Sequence, residues 1–173
     1  KQTGTIEFIN SRSSQGGAPC YVSMDQEGKA VFVGNYLGGS LAMFPVKADG
    51  SLDPAESVIR HTGSSINESR QQNPHVHCTI ISPDNRMLFA ADLGTDQLVG
   101  YRFSSETMSL EQEPAIRFET EKGAGPRHLT FHPTSRYDYL INELNGTVDV
   151  FSTENDSLLH IQSVSTLPVD YEG

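Results

Sequence analysis

Three times along the chain, a short apolar run is followed by a polar turn and a second apolar run that closes on Asn or Asp. The closing residues Asn35, Asp92 and Asn142 lie 57 and 50 residues apart, and an aromatic residue follows each of them nine positions later. Repeats of about 40–50 residues built from short strands are typical of β-propellers. The pattern therefore predicts an all-β chain made of propeller blades.

Each repeat predicts a blade of four strands, because β-branched and aromatic residues fill the runs while Gly, Asp and Asn fill the breaks. No window shows a sustained helical period. The predicted strands are 20–24, 30–35, 41–46 and 56–61, then 77–82, 87–92, 97–103 and 115–120, then 127–132, 137–142, 147–152 and 160–166. The predicted blades span residues 16–66, 67–122 and 123–168.

The two ends of the chain are predicted to belong to neighbouring blades. Residues 1–15 are interpreted as the outer strand of a preceding blade, centred on Thr5–Asn10, and residues 169–173 as a linker to a next blade. Closed propellers have about 4–8 blades, so three cannot close a ring. We therefore expect a piece of a longer protein, in which the remaining blades or another copy of the chain complete the propeller.

The composition narrows the class of partner. The formal net charge is −10 and the isoelectric point about 4.9, which argues against non-specific binding to nucleic acid or to an anionic membrane. No apolar run approaches the roughly 18 residues of a membrane span, and the first residues lack a signal-peptide pattern, so a cytoplasmic location is predicted. Cys20 and Cys78 are too few for a disulfide scaffold and are predicted to be buried free thiols.

Superposing the repeats predicts a cluster of polar side chains. His77 and Arg127 occupy the same position at the start of a first strand, where the first repeat has Cys20, and Glu143 directly follows the second strand of its repeat. Because these strands are antiparallel neighbours, the start of one and the end of the next lie at the same end of a blade. One interpretation is a structural Arg127–Glu143 salt bridge with His77 on the rim. The other is a general base, a cation and an orienting group that converge on a ligand.

Two further features leave functional alternatives open. His75 and His77 alternate on a strand and so face the same way, which would suit a zinc ion if His128, Glu143 or Asp92 supplied a third ligand. The polar stretch 62–74, which leads directly into His75, is either a binding loop or a loop tolerated on the rim.

Five short motifs resemble the propeller-type lactonase family, which includes bacterial 6-phosphogluconolactonases and the fungal carboxymuconate-lactonizing enzyme. The motifs, in chain order, are Gly-Gly-Ala-Pro-Cys-Tyr-Val (16–22), Gly-Asn-Tyr-Leu-Gly-Gly-Ser (34–40), Pro-His-Val-His (74–77), Gly-Pro-Arg-His-Leu (125–129) and Asn-Glu-Leu (142–144). The resemblance implies a seven-bladed propeller, of which about half is present, and a site without a cofactor or metal ion. The family's functional His, Arg and Glu fall on His77, Arg127 and Glu143, and family members carry further basic residues in later blades that this chain lacks.

The resemblance implies hydrolysis of a sugar lactone, with 6-phospho-glucono-δ-lactone as the expected substrate and 6-phosphogluconate as the product. Glu143 or His77 would activate water, and Arg127 would stabilise the oxyanion or hold an anionic group of the substrate. The residues predicted to bind the substrate are His75, His128 and Asn142. The alternatives are a non-catalytic propeller that binds a ligand or protein, and a metal-dependent lactonase that uses His75 and His77.

Overall fold

A computed structural model describes residues 4–154 and 157–171. It shows three antiparallel β-sheets in chain order, each a propeller blade, and no helix in these ranges. The first blade contains β1 (Pro19–Met24), β2 (Ala30–Asn35), β3 (Ser40–Pro45) and β4 (Ser57–Arg60). The second contains β5 (Val76–Ile81), β6 (Met87–Asp92), β7 (Gln97–Ser104), β8 (Ser109–Leu110) and β9 (Ile116–Glu119). The third contains β10 (Pro126–Phe131), β11 (Tyr137–Asn142), β12 (Thr147–Glu154) and β13 (Ser157–Ser165).

The core lies between the blades, because inner strands such as β3 and β6 are apolar runs that are buried on both faces. Phe32 and Met43 of the first blade pack against Leu88 and Tyr101 of the second. The opposite face of the second blade supplies Phe89 to a second cluster with the third blade. Successive strand residues point to opposite faces, so the second blade, which lies between the other two, is covered on both sides.

The second blade differs from the predicted four strands. Its β7 continues to Ser104, one residue beyond the prediction, and turns back into the two-residue strand β8. The fourth strand of the blade is β9, which pairs with the first half of β7. In the third blade β13 begins at Ser157, three residues before the predicted start, because β12 and β13 form a close hairpin.

The strand predicted at Thr5–Asn10 finds no partner strand among the described residues, and its assignment to a preceding blade stays a prediction. Within the described part of the chain, residues 4–14 form no strand, and the side chains of Ile6 and Phe8 are 97% and 82% exposed. A strand pattern cannot form a ladder without a neighbouring strand. The segment instead lies on the first blade, where the amide of Asn10 exchanges hydrogen bonds of 2.9 and 3.0 Å with the backbone of Leu52. Residues 166–171 also form no strand, and the remainder of the predicted linker lies outside the described residues.

The outer face of the third blade is apolar and exposed. Tyr137, Ile141, Leu159 and Val164 point away from the second blade, and each is more than 40% exposed. Soluble monomers rarely expose apolar patches above a few hundred Å². We therefore expect the isolated 173-residue chain to associate, with another copy or with further blades, or to aggregate. Analytical ultracentrifugation of the isolated chain measures its association state. A folded monomer that melts cooperatively would contradict the expectation.

Candidate functional site

A β-bulge recurs at the same place in all three blades. The pairing register shifts between Pro19 and Tyr21, between Val76 and Cys78, and between Pro126 and His128. The unpaired residues at these shifts are Cys20, His77 and Arg127. A bulge turns the extra side chain out of the regular pleat and is common next to functional sites. It also explains why Cys20 is exposed, contrary to prediction, while Cys78 on the regular strand is buried.

The structure brings His77, Arg127 and Glu143 together across two blades. The Nε of Arg127 lies 3.2 Å from Nε2 of His77 and 2.9 Å from Oε2 of Glu143. His77 belongs to the second blade, and the other two residues belong to the third. Both interpretations from the sequence are compatible with this arrangement, because the Arg127–Glu143 ion pair exists and His77 joins it directly.

Arg70 is a fourth member of the cluster and was missed by the sequence analysis. One of its terminal nitrogens lies 2.7 Å from Oε1 of Glu143 and 3.3 Å from the hydroxyl of Tyr36. Glu143 is thus held by two guanidinium groups, one on each carboxylate oxygen. The available signal was that Arg70 is the only cation in the polar stretch 62–74 that leads into His75.

Two aromatic contacts set the position of the histidines. The ring of Tyr36 stacks on His75, with centroids 4.3 Å apart, and meets His77 edge-on at 5.5 Å. His75 is fixed by a 2.9 Å contact between its Nδ1 and the carbonyl oxygen of Tyr36. His128 lies on the other side, with its ring 5.1 Å from that of His77. His75 therefore supports the site through Tyr36, whereas His128 borders His77.

The loop that carries Arg70 is anchored by buried polar groups. Gln71 is fully buried and donates to the carbonyl oxygen of Leu93 at 2.8 Å and to Oδ1 of Asp96 at 2.7 Å. The backbone passes so close to the second blade that a Cβ on Gly94 would lie 1.9 Å from the carbonyl oxygen of Asn73. The position of Arg70 is therefore fixed by a packed loop.

Asp96 also fixes the entry to the third blade. Its carboxylate accepts hydrogen bonds from the backbone of Gly123 at 2.7 Å and Gly125 at 2.8 Å, two residues before Arg127. It accepts a further bond from the hydroxyl of Ser65 at 2.5 Å. Gly125 has a φ of +68°, a conformation that glycine adopts without strain. One buried carboxylate thus holds both segments that supply the arginines.

The charges around Glu143 favour its ionised form. Burial acts to raise the pKa of Glu143, but the hydrogen bond and charge of Arg70, with the charge of Arg127, lower it overall. Burial lowers the pKa of His77, and the charge of Arg127 lowers it further. The pKa of His128 is lowered by burial and by Arg127 in the same way. The cluster carries one excess positive charge, because it combines two guanidinium groups and one carboxylate with two neutral imidazoles. The net charge of the whole chain is −10.

The comparison with known families decides which family this is. The model of the family described as "Lactonase, 7-bladed beta-propeller" matches residues 1–173. The chain belongs to this lactonase family. A 6-phosphogluconolactonase from Bacillus subtilis is 34% identical over 173 residues, which cover 99% of this chain and 48% of that protein. The chain spans about half the length of the curated relatives it matches.

Solved structures of lactonase relatives share the fold. A candidate 6-phosphogluconolactonase from Bacteroides fragilis superposes with a TM-score of 0.90 at 38% identity, covering 98% of this chain and 49% of that one. A periplasmic gluconolactonase from Pseudomonas aeruginosa superposes with a TM-score of 0.83, also at 38% identity, covering 92% and 46% of the two chains. The described residues contain no helix long and apolar enough to cross a membrane. The cytoplasmic location stays a prediction.

Asn142 does not face the cluster of His77, Arg127, Glu143 and Arg70. It is 1% exposed, and its amide nitrogen donates at 2.9 Å to both Thr147 and Asp149 within the third blade. The equivalent residues are also buried and hydrogen-bonded, since Asn35 donates to Ser14 and Ser40 while Asp92 accepts from the backbone of His75 and Gly94. The buried bonds of Asn142 within its blade favour a structural role, and its predicted role in substrate binding stays a prediction.

Replacing Asn142 with alanine tests this structural assignment. We expect a loss of about 1–3 kcal/mol of unfolding free energy, because Thr147 and Asp149 lose a buried partner. We expect kcat/KM of the complete lactonase to stay within about twofold, since Asn142 touches no member of the cluster. Denaturant unfolding and initial rates measure the two quantities. A large fall in kcat/KM with unchanged stability would instead indicate that Asn142 binds the substrate.

The metal-dependent alternative lacks a ligand set in the structure. Across the ranges that the structure describes, no group of three or more His, Cys, Asp or Glu side chains is arranged to hold a metal ion. Nδ1 of His75 already contacts the carbonyl oxygen of Tyr36, and Nε2 of His77 accepts from Arg127. The two histidines thus have separate partners.

Proposed function

We propose that this chain forms half of a lactonase that hydrolyses 6-phospho-glucono-δ-lactone to 6-phosphogluconate, and that His77, Arg127, Glu143 and Arg70 lie at its catalytic centre. The observation that carries the proposal is the shared Nε of Arg127, which joins His77 of one blade to Glu143 of the next. The names of relatives at 34% and 38% identity support the choice of substrate class.

In the proposed reaction, His77 acts as the general base. A carboxylate whose pKa is depressed by two arginines is a weak base, whereas an imidazole with a pKa somewhat below its usual value is neutral at pH 7 and still basic enough to accept a proton. The function of Glu143 is then to orient the two guanidinium groups. This assignment favours one of the two bases that the sequence left open.

The bond changes follow from this assignment. Water attacks the lactone carbonyl carbon while Nε2 of His77, which gives up its contact with Arg127 as that arginine turns to the substrate, takes the proton of the water, and a tetrahedral intermediate with a negative oxygen forms. The ring C–O bond then breaks, and the departing alkoxide receives the proton from His77. We expect Arg127 and Arg70 to donate hydrogen bonds either to the negative oxygen or to the substrate phosphate. The two oxygens of a phosphate match the two parallel N–H groups of a guanidinium.

The direct test is lactone opening followed by acid release at fixed pH. The protein would carry this chain within a full set of blades, and the catalysed rate would be compared with spontaneous opening. We expect acceleration with 6-phospho-glucono-δ-lactone, and a lower kcat/KM with unphosphorylated glucono-δ-lactone because it lacks the anionic group. If micromolar protein accelerates neither lactone, the proposal fails and a non-catalytic binding propeller is favoured.

The pH dependence of the reaction gives a separate prediction. Because the pKa of His77 lies below its ordinary value of 6.5, kcat/KM should fall only on the acid side of that value, as His77 becomes protonated. The charge of Arg127 lowers the pKa of His77, and the charge of Glu143 raises it. Arg127→Gln should therefore move the acid limb to higher pH, and Glu143→Gln should move it to lower pH. An acid limb that neither substitution moves would remove His77 as the titrating base.

A further inference from the structure

The third blade carries a buried carboxyl where the other blades carry an aliphatic side chain. Asp138 is the second residue of β11 and pairs with Phe131 on one neighbouring strand and Phe151 on the other. The equivalent residue is Leu88 in the second blade and Val31 in the first. Asp138 is 1% exposed. A requirement of the fold would repeat the aliphatic residue, so the carboxyl is a local departure from the scaffold.

The departure coincides with a cavity between the second and third blades. Its volume is about 280 Å³, and its apolar walls include Met87, Phe89, Ile116, Phe131 and Leu158, with Asp138 among the lining residues. In the preceding interface, between the first and second blades, the equivalent Leu88 is itself fully buried in the core. The shorter, polar Asp138 leaves space open where a leucine would fill it.

The cavity lies away from the lactonase cluster. Asp138 is near the start of β11, whereas Glu143 follows the end of that strand. Likewise Phe131 ends β10, whereas Arg127 is near its start. The cavity and the cluster are therefore at opposite ends of the same strands, and both walls of the cavity come from blades that this chain contains.

The charge of the cavity is one-sided. Asp138 accepts a hydrogen bond from the hydroxyl of Thr153 and forms no ion pair with any described residue. The other lining carboxylate, Asp84, is already paired with Arg86 at 2.7 Å. No Lys or Arg is among the described residues that line the cavity. Burial raises the pKa of Asp138, so a complementary cation would offset the cost of its negative charge.

We propose that this cavity, the Asp138 pocket, is a second binding site that takes a small organic amine, with its ammonium group on Asp138 and its alkyl or aromatic body packed against the wall formed by Phe89, Phe131 and Leu158. Apolar walls with a single placed polar group are the usual form of small-molecule sites. A site of about 280 Å³ accommodates a ligand the size of a phenylalkyl amine. The site is independent of the proposed lactonase activity.

Binding of phenethylammonium to the complete propeller tests the proposal. We expect saturable binding by calorimetry, weakened at least ~10-fold by Asp138→Asn, since a charge-assisted hydrogen bond is lost while the bond to Thr153 is kept. The matched neutral probe, 2-phenylethanol, should bind wild type and Asp138→Asn equally. Addition of phenethylammonium should leave lactone turnover unchanged, which separates this pocket from the His77 cluster.

A second variant keeps the test decisive if Asp138→Asn does not fold. Leu158→Trp fills the pocket from its outer strand and retains the carboxyl, and we expect it to weaken binding of both probes. No saturable binding of phenethylammonium at millimolar concentration would overturn the proposal. Equal affinity for wild type and Asp138→Asn, or displacement of phenethylammonium by the lactone substrate, would also overturn it.

Discussion

Replacing Arg127 with alanine in the complete lactonase is expected to lower kcat/KM for 6-phospho-glucono-δ-lactone at least ~100-fold, the loss typical of removing one preorganised donor to a developing oxyanion. The substitution also removes the hydrogen bond that Nε2 of His77 receives from Arg127, and it removes one of the two ion pairs that Glu143 forms with described residues. Initial rates at several substrate concentrations measure the effect. Wild-type turnover in Arg127→Ala would remove Arg127 from the mechanism.

Two companion variants separate charge from geometry. Arg127→Lys keeps the positive charge but loses the forked guanidinium, so we expect it to recover only part of the activity. Arg102→Ala removes an exposed arginine of β7 that pairs with the start of β6, at the end of the second blade away from the cluster. We expect Arg102→Ala to leave kcat/KM unchanged. An equal loss in Arg102→Ala would show that overall charge, and not position, governs turnover.

Replacing Asp96 with alanine is expected to lower the free energy of unfolding by roughly 3–5 kcal/mol, because several buried donors lose their acceptor and each unsatisfied buried donor costs about 1–3 kcal/mol before the structure relaxes. Four donors lose their acceptor at once: the hydroxyl of Ser65, the amide of Gln71 and the backbone of Gly123 and Gly125. Because these donors belong to the segments that carry Arg70 and Arg127, we also expect kcat/KM to fall. Denaturant midpoints and initial rates measure both losses.

The matched variants for Asp96 are Asp96→Asn and Asp53→Ala. Asn tolerates the positive φ of 56° at this position but brings an NH₂ group among donors, so its loss of stability should lie between those of wild type and Asp96→Ala. Asp53 forms an exposed ion pair with Lys47, and its removal should cost less than ~1 kcal/mol. A similar small loss in Asp96→Ala would mean that its segments are held by other contacts.

The repeat made much of the candidate site predictable from the sequence. Equivalent positions in successive blades must occupy equivalent places, so the approach of His77, Arg127 and Glu143 followed from alignment alone. The same logic favours a structural role for Asn142, because Asn35 and Asp92, which stand at its position, are also buried and hydrogen-bonded. A residue type that recurs at equivalent positions indicates a structural role, whereas a position whose residue differs from blade to blade is a candidate for a functional role.

Arg70 and Tyr36 could not be placed in this way. The stretch 62–74 has no counterpart of similar length in the other repeats, and its path is set by long-range contacts of Gln71 with Leu93 and Asp96. Tyr36 occupies the position equivalent to Glu143, but its role depends on the arginine that this loop brings to it. The strand predicted at Thr5–Asn10 stays a prediction for a related reason, since a local pattern does not specify which strand is its partner.

The repeated β-bulge has a consequence for how such proteins diverge. A bulged residue is not paired with a residue of the neighbouring strand, so its identity can change during evolution without altering the strand pairing of the blade. The three bulges hold a thiol, an imidazole and a guanidinium on otherwise similar strands. A ring of blades built in this way offers one freely variable side chain per blade around a common opening, so a new substrate can be acquired by exchanging single residues while the scaffold is inherited intact.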